Sequence, residues 1–206
     1  MIKIDHENVF MSAKKLKEIE VEATKVLKDE AEAKSLYNVA KKKLLDVNNW
    51  KKIGGALTAQ FQIIDEKGEE VIRDVNKGDY LRINIPGPGS KEGYGYDWVL
   101  VEELKELNKG YLQSVGFRVR PNENPFGKKN ETAHFYSKEA TSSFVITREN
   151  SKLISWIIDR NLLPNTESGS FADKVRDVAV GVSAIAGFSK VQWQGLADGL
   201  IENKNQ

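Results

Sequence analysis

The residues whose types and spacing could do chemistry are few in this sequence. They are His6 and His134, the pair Arg118 and Arg120, the run Asp159-Arg160-Asn161, and a glycine-rich stretch beside Tyr94, Tyr96 and Trp98. Arg118 and Arg120 are two apart in a predicted strand and therefore project from one face. On a concave face their guanidiniums would hold an anionic head group or pair with buried carboxylates. On the outer face they are surface charge, and Phe117 and Val119 take the covered side. The same two readings apply to Asp159 and Arg160 beside Asn161, where the polar side chains could equally pin a loop.

His134 lies in the predicted strand 132–136. A single strand histidine is more often a hydrogen-bonded structural residue than a base, and His6 is too distant in sequence to suggest a shared metal site. The sequence has no cysteine, which removes disulfides, thiolate nucleophiles and thiolate metal sites. No Ser–His–Asp pattern stands out. The reading assigns no catalytic residue, no metal and no cofactor.

The glycine-rich stretch 86–96 carries Gly87, Gly89, Gly93 and Gly95. A phosphate cradle needs glycines that lead directly into a helix, so that free N–H groups converge on the anion. Here a strand follows, beginning Asp97-Trp98-Val99, and no Gly-Lys-Ser/Thr ending is present. Two readings stay open. One is a flap over a cavity mouth, closed by Tyr94, Tyr96 and Trp98. The other is a long hairpin whose aromatics cover its base.

These groups must be positioned by elements that the hydrophobic pattern predicts. Residues 18–24 alternate polar and apolar, the signature of a strand with one wet face. Asp29 caps a helix with Glu32 in capping-box position, and Ala33, Leu36, Tyr37, Ala40 and Leu44 form its apolar stripe. Eight strand candidates follow: 57–64, 71–75, 80–85, 97–104, 112–120, 132–136, 142–147 and 153–158. Strands this close, with no helix between them, predict a curved antiparallel sheet. The C-terminal stretch 171–201 places Val175, Val178, Ala179, Val182, Ile185 and Ala186 on one helical stripe. A second stripe holds Val191, Leu196, Ala197, Leu200 and Ile201. Ser170 is a plausible cap, and Ser189 with Gln192 after Gly187 predicts a second start, hence two helices or one broken one. Trp156 and Trp193 read as core or partly exposed residues, with a subunit contact through Trp193 left open.

The chain has 206 residues, enough for one large domain with an extension, and 31 basic against 30 acidic residues leave a net charge of +1. That balance supplies no overall field for nucleic acid or an anionic membrane. No run approaches a membrane span, and residues 1–10 carry Lys3, Asp5, His6 and Glu7 in place of a signal-peptide core. A cytoplasmic protein is the expectation. Residues 1–17, with apolar anchors Ile2, Ile4, Val9, Phe10 and Met11 and a basic run 12–17, read as an N-terminal arm packed on a domain of residues 18–206.

The opening from Ile19-Glu20-Val21 through Leu44-Leu45-Asp46-Val47-Asn48-Asn49-Trp50 resembles that of the START-like helix-grip superfamily, the fold of polyketide cyclases and pollen-allergen ligand carriers. The resemblance implies an α+β fold: a curved antiparallel sheet with an N-terminal helix and a C-terminal helix on its concave face. It carries over no catalytic residue. The sequence departs from the pattern in its eight strand candidates against six, the break at Gly187 and the extra arm.

The leading expectation is a binding module for an apolar or amphipathic small molecule between sheet and terminal helix. Tyr94, Tyr96, Trp98, Arg118, Arg120 and His134 are its candidate ligand residues. One alternative is an enzyme of cyclase or hydrolase type in which Asp97, Arg118 and His134 converge. Another is a protein–protein module using a sheet edge and the arm, and a homo-oligomer stays open with it.

Overall fold

The computed structural model describes residues 18–84, 94–126, 132–163 and 178–203, with residues 178–188 described by their backbone alone. The arm 1–17, the glycine stretch up to residue 93, the cap Ser170 and the stripe residue Val175 lie outside the described residues. So do the side chains of the first stripe from Val178 to Ala186.

Strand β1 (Glu18–Val26) opens the described chain and leads to helix α1 (Glu30–Leu45). The strand buries Val21 and Ala23 and leaves Glu20, Glu22 and Thr24 on its wetter face, as its alternation dictates. Asp29 caps α1 by accepting the Glu32 N–H at 2.8 Å, and the buried stripe is the expected one. A 3-10 turn (Val47–Asn49) and the short helix α2 (Trp50–Gly54) follow. Trp50 is completely buried and donates its indole N–H to Leu44 O at 3.1 Å.

The sheet is then completed by β2 (Gln60–Ile64), β3 (Glu70–Val71), β4 (Tyr80–Asn84), β5 (Asp97–Asn108), β6 (Leu112–Pro121), β7 (Thr141–Glu149) and β8 (Lys152–Arg160). The spatial order is β1-β8-β7-β6-β5-β4-β2-β3, and every pairing is antiparallel. A register shift between Val101 and Glu103 bulges β5, a device that bends a strand and raises its twist. Helix α3 (Val178–Ile201) closes the fold on the concave face.

Four sequence expectations are corrected. Residues 132–136 form no strand: Thr132 makes one isolated bridge to Glu123, and Ala133 is held between Asn122 O and the Trp98 N–H. His134 is therefore a loop residue. The expected strand 71–75 shrinks to the two residues of β3, because Arg73 clamps Asp79 with two hydrogen bonds, at 2.6 and 2.8 Å, and folds the rest into a loop. Helix α3 runs through Gly187 without a break. Ser189 and Gln192, the expected cap, point into the protein: Gln192 Oε1 accepts the Ala59 N–H at 3.2 Å, and Ser189 bonds the Tyr136 side chain. Val191, placed on the second stripe by spacing, is 55% exposed, whereas Leu196, Ala197, Leu200 and Ile201 are buried.

The core fills the space between the concave face and the helices. Trp50 sits at its centre, with ring centroids 5.1 Å from Phe61, 5.7 Å from Phe117 and 4.7 Å from Phe144. Helix α3 approaches α2 very closely. A Cβ on Gly195 would stand 2.7 Å from Gly54 O, so only glycine permits this crossing. Lys43 on α1 reaches the end of α3 and donates to Gly199 O at 2.9 Å and Glu202 O at 2.6 Å. A cation there complements the negative end of the helix dipole.

Candidate ligand site at the Asp159 end of the concave face

Strand β8 carries Leu153 and Ile157 on its concave side, in the main core. Ser155 and Asp159 share that parity and face the same way. Asp159 lies opposite Ile19 of β1 and Ser142 of β7, near one end of the sheet. It is 2% exposed. From above, Trp193 on α3 donates its indole N–H to Asp159 Oδ2 at 2.8 Å. Ser142, its neighbour on β7, favours the charged form of the carboxyl. Among the described residues, buried Oδ1 finds no hydrogen-bond partner, and neither does the buried hydroxyl of Ser155, further along the same face of β8.

Burial pushes the Asp159 carboxyl up to about 6, against the opposing pull of Ser142 and Trp193. Tyr136, bonded to Ser189, is also raised, chiefly by burial and then by the Asp159 charge. Asp159, Ser142, Trp193, Ser189 and Tyr136 thus form one polar cluster under α3. Beside it stand apolar walls: Trp193 packs edge-on to Phe144 at 5.3 Å and against Phe61 at 6.3 Å. Such a cluster can accept a hydrogen bond from a hydroxyl or ammonium group at Oδ1, or donate one when Asp159 is protonated.

The six ligand residues expected from sequence are not brought to one cavity. Arg118 and Arg120 face away from the helices, because Val115, Phe117 and Val119 take the core side of β6. Both pair with Glu102 there, and Arg118 also meets Glu103 at 3.0 Å. Trp98 and Tyr96 belong to a separate cluster with Ile64 and Ala133 on the same outer face. Arg82 lies 4.8 Å over the Tyr96 ring. Tyr94 is 72% exposed and adopts a φ of 53°.

His134 is buried, with Nε2 3.9 Å from Asp97 Oδ2, and Nδ1 accepts the Tyr136 N–H at 3.0 Å. Burial lowers its pKa to about 3, so the ring is neutral and carries its proton on Nε2. The acid–base set of Asp97, Arg118 and His134 is not assembled, since Arg118 projects from the opposite face. Among the described residues, no group of three His, Asp or Glu side chains could hold a metal, and no helix is long and apolar enough to cross a membrane.

A pocket of about 170 Å³ lies at the far end of β1, lined by Lys25, Leu27, Glu32, Leu36 and Val39 among others. It is smaller than the ~300–1,000 Å³ of typical ligand cavities.

No family model matches the sequence, and no curated protein matches it. Solved structures do resemble the chain. Hypothetical protein jhp0584 from Helicobacter pylori is 11% identical, with a TM-score of 0.51 over 96% of this chain and 95% of that one. The fold is a helix grip. At that identity the likeness shows the fold alone. TTHA0849 from Thermus thermophilus (11% identical, TM-score 0.41, 88% of this chain and 97% of that chain) is more distant. So is norcoclaurine synthase from Thalictrum flavum (12%, TM-score 0.36, 86% and 84%).

The site residues that sequence reasoning undervalued are Asp159 and Trp193. In the sequence Asp159 is one charge at a strand end, and Trp193 reads as a core or partly exposed residue. Nothing in sequence pairs them across 34 positions.

Proposed function

We propose that this protein binds an apolar or amphipathic small molecule between the sheet and α3, with Asp159 as the polar anchor. The observation that carries this reading is the buried Oδ1 of Asp159, which has no hydrogen-bond partner among the described residues at the edge of an aromatic core. Buried polar atoms are almost always satisfied, and a ligand hydroxyl or amine would satisfy this one. Ligand sites of this class combine apolar walls with a few convergent polar groups, and the Asp159 cluster supplies such groups.

Native mass spectrometry of the purified protein, with titration of fluorescent fatty-acid and sterol probes, tests the reading. A co-purifying molecule, or saturable probe binding weakened about tenfold or more by Asp159→Leu, is expected, since a hydrogen bond to a charged group contributes about 1.5–3 kcal/mol. No co-purifying molecule together with no measurable probe binding would overturn it.

A further inference from the structure

Among the described residues, Asp159 faces no positive charge. Consecutive strand residues point to opposite faces, so its neighbour Arg160 lies on the outer side of β8, where it meets Glu18 at 3.7 Å. On the inner side the carboxylate is surrounded by Ile19 of β1, Ser142 of β7, Trp193 of α3, and Tyr136 with its partner Ser189. All of these side chains are neutral. Burial, Ser142 and Trp193 account for where Asp159 titrates, and no cation contributes. With the carboxyl titrating at about 6, most of it is ionised in neutral solution.

Buried charges are as a rule paired with an opposite charge or bound to a metal. No group of three His, Asp or Glu side chains among the described residues could share a metal with this carboxylate. A bound molecule can supply the opposite charge. The walls favour a cation as well. Trp193 is hydrogen-bonded to the carboxylate and packs with Phe144 and Phe61, at ring-centroid distances of 5.3 and 6.3 Å. Aromatic faces attract organic cations. A ligand carboxylate would instead bring a second negative charge into the same buried place, and one of the two would have to take up a proton. A ligand hydroxyl would satisfy Oδ1 and leave the charge uncompensated.

We propose that the small molecule held between the sheet and α3 is an organic amine, whose ammonium group donates to Oδ1 of Asp159 while its apolar part lies against Trp193, Phe144 and Phe61. This rests on the binding reading above and narrows it from amphipathic molecules in general to cationic ones.

Decylamine, decanol and decanoate share one apolar chain and differ in the head group alone. Their binding to the full chain is measured by titration calorimetry in neutral buffer. Decylamine is expected to bind at least about tenfold more tightly than decanol, because charge-assisted hydrogen bonds are about twice as strong as neutral ones, and decanoate should bind most weakly. In Asp159→Asn, which keeps the shape and removes the charge, the preference for decylamine over decanol should disappear. Should that variant fail to fold, the ranking on the unaltered protein decides by itself. Equal affinity for decylamine and decanol, tightest binding of decanoate, or a preference for decylamine that persists in Asp159→Asn would overturn the amine assignment and leave a small-molecule site in place. Binding of none of the three would overturn it too. The binding reading itself falls only if the sterol and fatty-acid probes are silent as well.

Discussion

The indole N–H of Trp193 donates to Oδ2 of Asp159 at 2.8 Å, which ties the terminal helix to the last long strand inside the core. The bond gives the seat of α3 a direction that the apolar contacts of Leu196, Ala197, Leu200 and Ile201 do not supply. Trp193→Phe keeps an aromatic side chain against Phe144 and removes the donor. Unfolding in urea should show a loss of about 1–3 kcal/mol, the cost of leaving a buried charged acceptor less satisfied. An unchanged midpoint would show that solvent already serves the carboxylate.

Asp159 should make stability fall as pH rises. Its folded pKa of about 6 lies above the unfolded value of 3.8, so the folded protein holds the proton more tightly. The contribution is fully present below the unfolded value and is lost as pH rises through 6, in total ~3 kcal/mol. In Asp159→Asn this falling contribution should vanish from stability curves measured between pH 4 and 6.5.

His134 acts in the opposite direction. Its pKa drops from 6.5 to about 3 on folding, so protonation favours the unfolded chain. Its contribution is present above pH 6.5 and is lost as pH falls toward 3. Between pH 4 and 6 the two groups oppose each other. His134→Phe should therefore leave a curve that falls with rising pH, and Asp159→Asn one that rises. Parallel curves for the two variants would refute the assignment.

The α2–α3 crossing should not tolerate a methyl group. Gly195→Ala places a Cβ 2.7 Å from Gly54 O, a backbone atom that cannot rotate away. Overpacking of this kind costs about 1–3 kcal/mol. Thermal unfolding should show a clear fall in Tm for Gly195→Ala and a much smaller change for Val191→Ala on the exposed side of the same helix.

The sequence by itself determined those parts of the protein that depend on local periodicity. The alternation of β1 and the Asp29 cap and stripe of α1 are where spacing and capping chemistry place them. So is the α+β order of sheet and terminal helix, because an apolar stripe needs a surface to cover it. Tertiary structure alone decided the rest. Ser189 and Gln192 satisfy every local rule for a cap, yet their side chains find better partners in Tyr136 and Ala59, so α3 continues. Residues 132–136 have strand-like composition but lie where only one bridge is available. Period two assigns Arg118 and Arg120 to a common face without saying which. The choice follows from Phe117, which packs on Trp50 from a helix far earlier in the chain. Asp159 and Trp193 meet for the same reason: their hydrogen bond exists only after the sheet has curved and α3 has settled into it, and no sequence spacing encodes that distance.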